Sequence, residues 1–267
     1  MKSILSIFFL TAVLTAQTAD PSSQGIPVDQ ANMLKARALL NQAIDALGGS
    51  AYLNIQDMSS EGRTYSFHHG NSTSAGVLYW RFYQFPDKDR IEATKKRDVV
   101  YVYNGSKGYE ITYKGTRALE GKDVADYLRR HHYALDQVLR TWINEPKVAL
   151  LYEGRATADE KPAEQVTVLN AKNEGVTLYF DASTHLPLKK TFTWRDPADK
   201  ERNLEEEIYD NYRPVQGVMT PYRISNFYNG DMSGQRFINS VSYNQGISDS
   251  LFDVSVTYDL KSPAIKR

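Results

Sequence analysis

The chain has no cysteine in 267 residues. That absence excludes a disulfide framework, a thiolate metal site, a cysteine nucleophile and a lipid-modified N-terminal cysteine. Neither charge is in excess: 32 Lys and Arg face 32 Asp and Glu, and the pI is near 7.0. No global field therefore draws the chain to nucleic acid or anionic lipid. A mean hydropathy of −0.51 excludes a polytopic membrane protein. Also missing are a phosphate loop, a Gly-rich dinucleotide fingerprint and a serine in G-x-S-x-G context, which removes the commonest hydrolase pattern. What remains, 41% apolar and 24% charged, is ordinary globular composition. At this length one large domain is as reasonable as two.

The N-terminus differs from the rest. Lys2 is followed by Ile4, Leu5, Ile7, Phe8, Phe9, Leu10, Val13 and Leu14, then by the small residues Thr15 and Ala16. This pattern predicts a cleaved secretory signal over residues 1–19, with cleavage after Ala16 or Ala19. The apolar run is shorter than the ~20 residues a membrane-spanning helix needs. A polar spacer follows over residues 20–30, including Pro21-Ser22-Ser23-Gln24-Gly25. An exported chain of this size without cysteine suits a bacterial periplasm.

Two segments carry helical periodicity. In the first, about Ala31 to Leu47, Met33, Ala36, Leu40, Ala43, Ile44 and Leu47 form one stripe, and Gly48-Gly49 ends it. In the second, about Lys122 to Ile143, the stripe is Val124, Leu128, His131, Leu135, Val138, Leu139 and Trp142, and Asn144-Glu145-Pro146 stops it. Most of the rest reads as strand, rich in β-branched and aromatic residues. Asn104-Gly105 and Asn229-Gly230 sit between strand-like runs as hairpin turns. The expected fold is α+β, mostly β. An antiparallel sheet of about 11 strands curls into a half-barrel, and two amphipathic helices cover its apolar concave face. Strand alternation puts Leu78, Trp80 and Phe82 together, Val100 with Val102, and Val176 with Leu178 and Phe180. The domain is expected over residues 31–254, with a loose tail over 255–267.

Other constellations point to little chemistry. His131 lies on an apolar stripe without identifiable partners, and His68-His69 on one strand point to opposite faces, which disfavours a shared metal. Glu205 and Glu207 share a face and read as a solvated edge that blocks aggregation. No catalytic residue, metal site or cofactor is expected.

Four passages taken in order resemble the bacterial LolA-like family, the outer-membrane lipoprotein-sorting carriers. They are Ala46-Leu47-Gly48-Gly49 with Leu53, Ile55 and Gly62; Phe85-Pro86-Asp87-Lys88-Asp89-Arg90; Val100-Tyr101-Val102-Tyr103-Asn104-Gly105; and Asp181-Ala182-Ser183-Thr184-His185-Leu186-Pro187-Leu188-Lys189. The last, a match to Asp-x-x-Thr-x-Leu-Pro-Leu-Arg/Lys, is the most specific. The resemblance implies a half-barrel whose lidded apolar cavity holds acyl chains in transit across the periplasm. It also implies an inner-membrane donor, an outer-membrane acceptor and a monomeric carrier that binds no nucleic acid. The family pattern has a basic residue before the turn proline, thought to latch the lid; this chain has Phe85 there.

On this reading the cavity and lid are lined by Met33, Leu40 and Ile44 from the first helix. Leu128, His131, Leu135, Val138, Leu139 and Trp142 line it from the second, and Trp80, Val100, Val102 and Leu178 from the sheet. Two other classes stand beside the carrier: a lipid-sensing or protein-interaction module on the same fold, and, more remotely, a hydrolase using His131 with a carboxylate.

Overall fold

The computed structural model describes residues 28–259. The expected signal segment, most of the spacer and the last eight residues lie outside the described residues. Helix α1 (Val28–Leu47) begins inside the stretch expected to be spacer and runs to the Gly48-Gly49 pair. Gly48 adopts φ 126°, and a Cβ there would sit 2.3 Å from the Gly217 carbonyl oxygen, so only glycine permits this turn. A single turn, α2 (Ser50–Leu53), leads into the sheet.

Seven strands follow: β1 (Asp57–His68), β2 (Asn71–Ser72), β3 (Val77–Gln84), β4 (Lys88–Ala93), β5 (Val99–Asn104), β6 (Lys107–Thr112) and β7 (Gly115–Ala118). Helices α3 (Gly121–His132) and α4 (Leu135–Arg140) intervene. Seven more strands complete the domain: β8 (Ala149–Ala158), β9 (Lys161–Leu169), β10 (Gly175–Asp181), β11 (Pro187–Arg195), β12 (Arg202–Val215), β13 (Val218–Tyr228) and β14 (Asp231–Tyr243). The expected half-barrel is present, with 14 strands rather than about 11. The extra strands, β1, β2, β4 and β7, are short or carry charged and polar residues, so they lack the apolar alternation that marks a strand in sequence.

The sheet is one antiparallel meander in the order β7-β6-β5-β4-β3-β1-β14-β13-β12-β11-β10-β9-β8, with β2 paired to β1. The first and last long strands meet in the middle, Met58 opposite Tyr243 and Ser60 opposite Val241. The two free edges, β7 and β8, are consecutive in the chain, so α3 and α4 must bridge them. They do so across the concave face. Asn229 and Gly230, at φ 51° and 89°, make the two-residue turn between β13 and β14 that their sequence predicts.

The second helix is not continuous. It breaks at Tyr133-Ala134, where Ala134 is extended (ψ 146°) and the Tyr133 ring stacks on Phe192 at 4.2 Å. The buried ring holds the break, because a continuous helix would swing Tyr133 off the sheet. The segment after Val254 also departs from expectation. Thr257 and Tyr258 donate backbone N–H groups to the Thr116 carbonyl, laying the chain along β7 as far as the described residues run.

Two of the hydrophobic clusters among the described residues lie on opposite faces of the sheet. The larger fills the inner face of β8–β11. There Val166, Val168, Val176, Leu178 and Phe180 pack under Leu40, Ala43, Ile44 and Leu47 of α1 and Val138 and Leu139 of α4. The smaller lies outside the other half of the sheet. It joins Val100, Val102 and Phe82 to Ile247, Leu251, Phe252 and Val254 of the C-terminal segment.

Candidate functional site

The concave face divides into an apolar and a polar half. In the apolar half, seven of the expected lining residues come together. Leu40, Ile44, Val138, Leu139, Trp142 and Leu178 are buried in one cluster, and Leu135 packs against it half-buried. Leu128 is half-buried on α3, a helix with no fully buried residue.

Four expected lining residues lie elsewhere. Met33 is 42% exposed on the solvent side of α1. Trp80, Val100 and Val102 are on the outer face. Trp80 donates to Glu61 (2.8 Å) beneath the Arg97 guanidinium, and the two valines pack against Phe252. Period-2 alternation identifies residues that share a face but not which face is concave. On the outer face Phe82 of β3 and the two valines of β5 are covered by the C-terminal segment.

Tyrosines and charges therefore face inward from β3 and β4. Arg81 donates twice to Asp89, from Nε at 2.9 Å and Nη2 at 2.8 Å, and Asp89 is 1% exposed. Burial works against the Arg81 charge, but the Asp89 carboxylate more than compensates and raises its pKa. Tyr127 of α3 donates to the same carboxylate at 3.2 Å. Its ring lies flat on Tyr103 at 3.5 Å and parallel to His131 at 5.8 Å. Burial, with Asp89 close by, pushes Tyr103 up to about 12 and Tyr127 further, so both stay neutral hydrogen-bond donors.

The far side of α3 is held in the same way. Arg129 donates to Glu205 (3.1 Å) and Asp126 (2.8 Å) and stacks 3.6 Å above Trp194. His132 meets Glu174 at 3.0 Å. Helix α3 is thus a cover fastened by polar contacts on both flanks. Helix α4 is fastened by packing and by the turn after β3. The Arg140 guanidinium lies 3.9 Å from the Phe85 ring centre and donates to the carbonyls of Ile55 (2.8 Å) and Leu53 (3.2 Å). Gln137 donates to Pro86 O at 3.1 Å. The basic group at this turn thus comes from α4, and the turn supplies the aromatic face.

Glu205 and Glu207 do share a face, but it is not a solvated edge. Strand β12 lies between β11 and β13, so both carboxylates point into the trough. Glu207 pairs with Lys190 at 3.0 Å and accepts from Tyr209 at 2.6 Å. Burial opposes its ionisation, yet Lys190 and Tyr209 hold its pKa below the usual carboxylate value. A 14-strand sheet has few true edges, which is why a run of acidic residues was misleading here.

The most specific sequence motif forms the turn between β10 and β11. Asp181 accepts from the backbone N–H of Ser183 (2.9 Å) and Thr184 (2.8 Å) and from the Ser183 hydroxyl (2.6 Å). These hydrogen bonds outweigh partial burial and lower its pKa to about 2. His131 meets aromatic rings and Gln137 but no carboxylate, so the pairing a hydrolase reading requires is not formed. His69 pairs with Asp231 at the surface, and no metal-binding cluster occurs among the described residues. Among the same residues no helix is long and apolar enough to cross a membrane.

No protein-family model matches the sequence, and no curated protein matches it either. Solved structures match it in fold. A DUF1329 family protein from Desulfovibrio piger covers 82% of this chain and 97% of its own, at a TM-score of 0.55 and 13% identity. A LolA superfamily protein from Nitrosomonas europaea gives the same coverages, at 0.50 and 12%. An outer-membrane lipoprotein-sorting protein domain from Vibrio parahaemolyticus does likewise, at 0.51 and 10%. The chain therefore shares the fold of LolA superfamily and lipoprotein-sorting proteins, a curled antiparallel sheet with helices across its concave face.

Proposed function

We propose that the protein is a periplasmic carrier, not an enzyme, that holds the acyl chains of a lipid or lipoprotein in its half-barrel and delivers them towards the outer membrane. The observation that carries this reading is how the cover is attached. Helices α3 and α4 belong to one segment running from edge strand β7 to edge strand β8, and side chains alone hold them to the concave face. Lifting that segment breaks no strand-to-strand hydrogen bond. It uncovers the part of the apolar floor that α4 covers, while α1 stays in place over the rest.

Such a device answers a simple physical need. Exposed acyl chain costs ~0.8 kcal/mol per methylene, so a sixteen-carbon chain in water costs about 12 kcal/mol, and an apolar pocket removes that cost without directional contacts. In the closed form Val138, Leu139 and Trp142 occupy the floor themselves, so cargo replaces lid contacts with lipid contacts. Leu40, Ile44, Leu128, Leu135, Val138, Leu139, Trp142 and Leu178 are the lining this reading retains.

Native mass spectrometry of protein purified gently from the periplasm tests it. A stoichiometric lipid or acylated peptide is expected. A protein that arrives empty and then refuses both phospholipid and lipopeptide would refute the carrier reading and turn attention to a protein partner.

A further inference from the structure

We infer that the polar half of the trough is a binding site for the anionic head, a carboxylate or phosphate, of an amphiphile, with Arg236 as its principal donor. The inference rests on the carrier reading and specifies the chemistry of the cargo.

Five ionised side chains meet on the inner faces of β3, β4, β11, β12 and β14. Arg81 is matched by Asp89 at 2.8 Å and Lys190 by Glu207 at 3.0 Å. Arg236 stands opposite Ile224 in the ladder, with its guanidinium carbon 5.9 Å from the Tyr79 ring centre. Among the described residues it has no carboxylate within ion-pair distance and no hydrogen bond. Glu205 on the same face is taken up by Arg129 of α3, so among these side chains Arg236 is the one without a paired carboxylate.

Donors are unspent as well. Lys190 has no exposed surface, and its Nζ makes the ion pair without a hydrogen bond of ordinary geometry. The buried Tyr79 hydroxyl likewise makes none. A guanidinium presents five N–H groups in a rigid fork and keeps its proton, so enclosing one without a counter-ion is costly. Burial, reinforced by nearby Arg81, pulls the Arg236 pKa below the usual arginine value, and the Glu207 and Asp89 carboxylates, beyond ion-pair distance, offset this only in part. A carboxylate or phosphate fits that fork in a bidentate manner.

The same strand shows where the chain of such a molecule goes. Ile238 and Val241 of β14 already belong to the apolar cluster beneath α4. A head at Arg236 therefore leaves the acyl chain at the start of the apolar floor. The polar and apolar halves of the trough together match one amphiphile.

The test is calorimetric titration of delipidated protein with palmitate, palmitoyl lysophosphatidate and monopalmitoylglycerol, comparing wild type, Arg236→Gln and Arg236→Lys. Arg236→Gln is expected to weaken the anionic ligand by about tenfold or more, the scale of a hydrogen bond to a charged group, and to leave the neutral glyceride within about twofold. Arg236→Lys should recover part of the loss, and whichever anion binds more tightly identifies the head as carboxylate or phosphate. Without ligand, Arg236→Gln should unfold at the same or a higher temperature than wild type, because it removes an unmatched charge. A fall in that temperature would assign Arg236 a structural role and overturn the inference. Equal affinity of the wild type for neutral and anionic amphiphiles would overturn it while leaving the carrier reading intact. Failure to bind any of the three would overturn the inference, and refusal of phospholipid and lipopeptide as well would end the carrier reading with it.

Discussion

Arg140 of α4 lies face-on to Phe85, its guanidinium carbon 3.9 Å from the ring centre, while its N–H groups reach the carbonyls of Leu53 and Ile55. One α4 side chain thus joins the turn before β4 to the segment before β1. Arg140→Ala removes a cation–π contact and two charge-assisted hydrogen bonds, for an expected loss of about 2–4 kcal/mol. Phe85→Leu removes only the ring contact and should cost about 0.5–1.5 kcal/mol. Amide hydrogen exchange across Leu135–Arg140 reads the difference directly. Unchanged protection in Arg140→Ala would show that packing alone holds α4.

Asp89 is the inner anchor of α3. It serves Arg81 and Tyr127 at once and is almost wholly buried. Asp89→Ala strands the Arg81 charge and should cost about 3–5 kcal/mol. Tyr127→Phe breaks only the link to α3 and should cost about 0.5–1.5 kcal/mol. Urea denaturation curves for the two variants should therefore differ widely in midpoint. Similar midpoints would mean that the Arg81–Asp89 pair contributes little.

The two faces of the sheet should respond differently to apolar substitutions. Leu135→Glu places a charge against the lining beneath α4 and should abolish lipid retention in protein that still folds, as judged by circular dichroism. Phe252→Ala, on the outer face, should cost about 3–5 kcal/mol of stability while leaving retention by the folded fraction unchanged. Retention that survives Leu135→Glu excludes a cavity role at that position.

Acid should loosen the α3–α4 corner. Burial opposes ionisation of Glu174, but hydrogen bonds from Asn170 and His132 hold its pKa below the ordinary 4.5. A depressed carboxylate adds stability that is fully present above its unfolded pKa and lost as pH falls through the folded value. The melting temperature should thus decline below about pH 4.5, and Glu174→Gln should begin lower at neutral pH and decline less steeply. Parallel curves for the two proteins would remove Glu174 from the corner.

Much of the architecture was legible in the chain. The helix ending at Gly48-Gly49, the Asn229-Gly230 hairpin and the Asp181 turn each rest on local chemistry within a few residues, and each forms as expected. The buried apolar residues of α1, α4 and β10 were legible too, because apolar periodicity and burial coincide where a helix packs on a sheet. Strands β1 and β4 were not, since charged and polar residues interrupt their apolar alternation and their signal resembles a loop.

The sequence by itself determined the class of the molecule: mostly β, helices few, no thiol chemistry, charge balanced overall. Tertiary structure alone decided which face of each strand is inside. Phe82, Val100 and Val102 turn outward because a segment some 150 residues later covers them, and Trp80 shares that outer face beneath Arg97. The inner face left to β3 and β4 then receives Tyr79, Arg81 and Asp89, and β11, β12 and β14 bring Lys190, Glu207 and Arg236 to it from more than a hundred residues away. Alternation fixes which residues share a face. Only the chain's return across the sheet fixes which face is the trough, because the side a strand buries depends on what covers it.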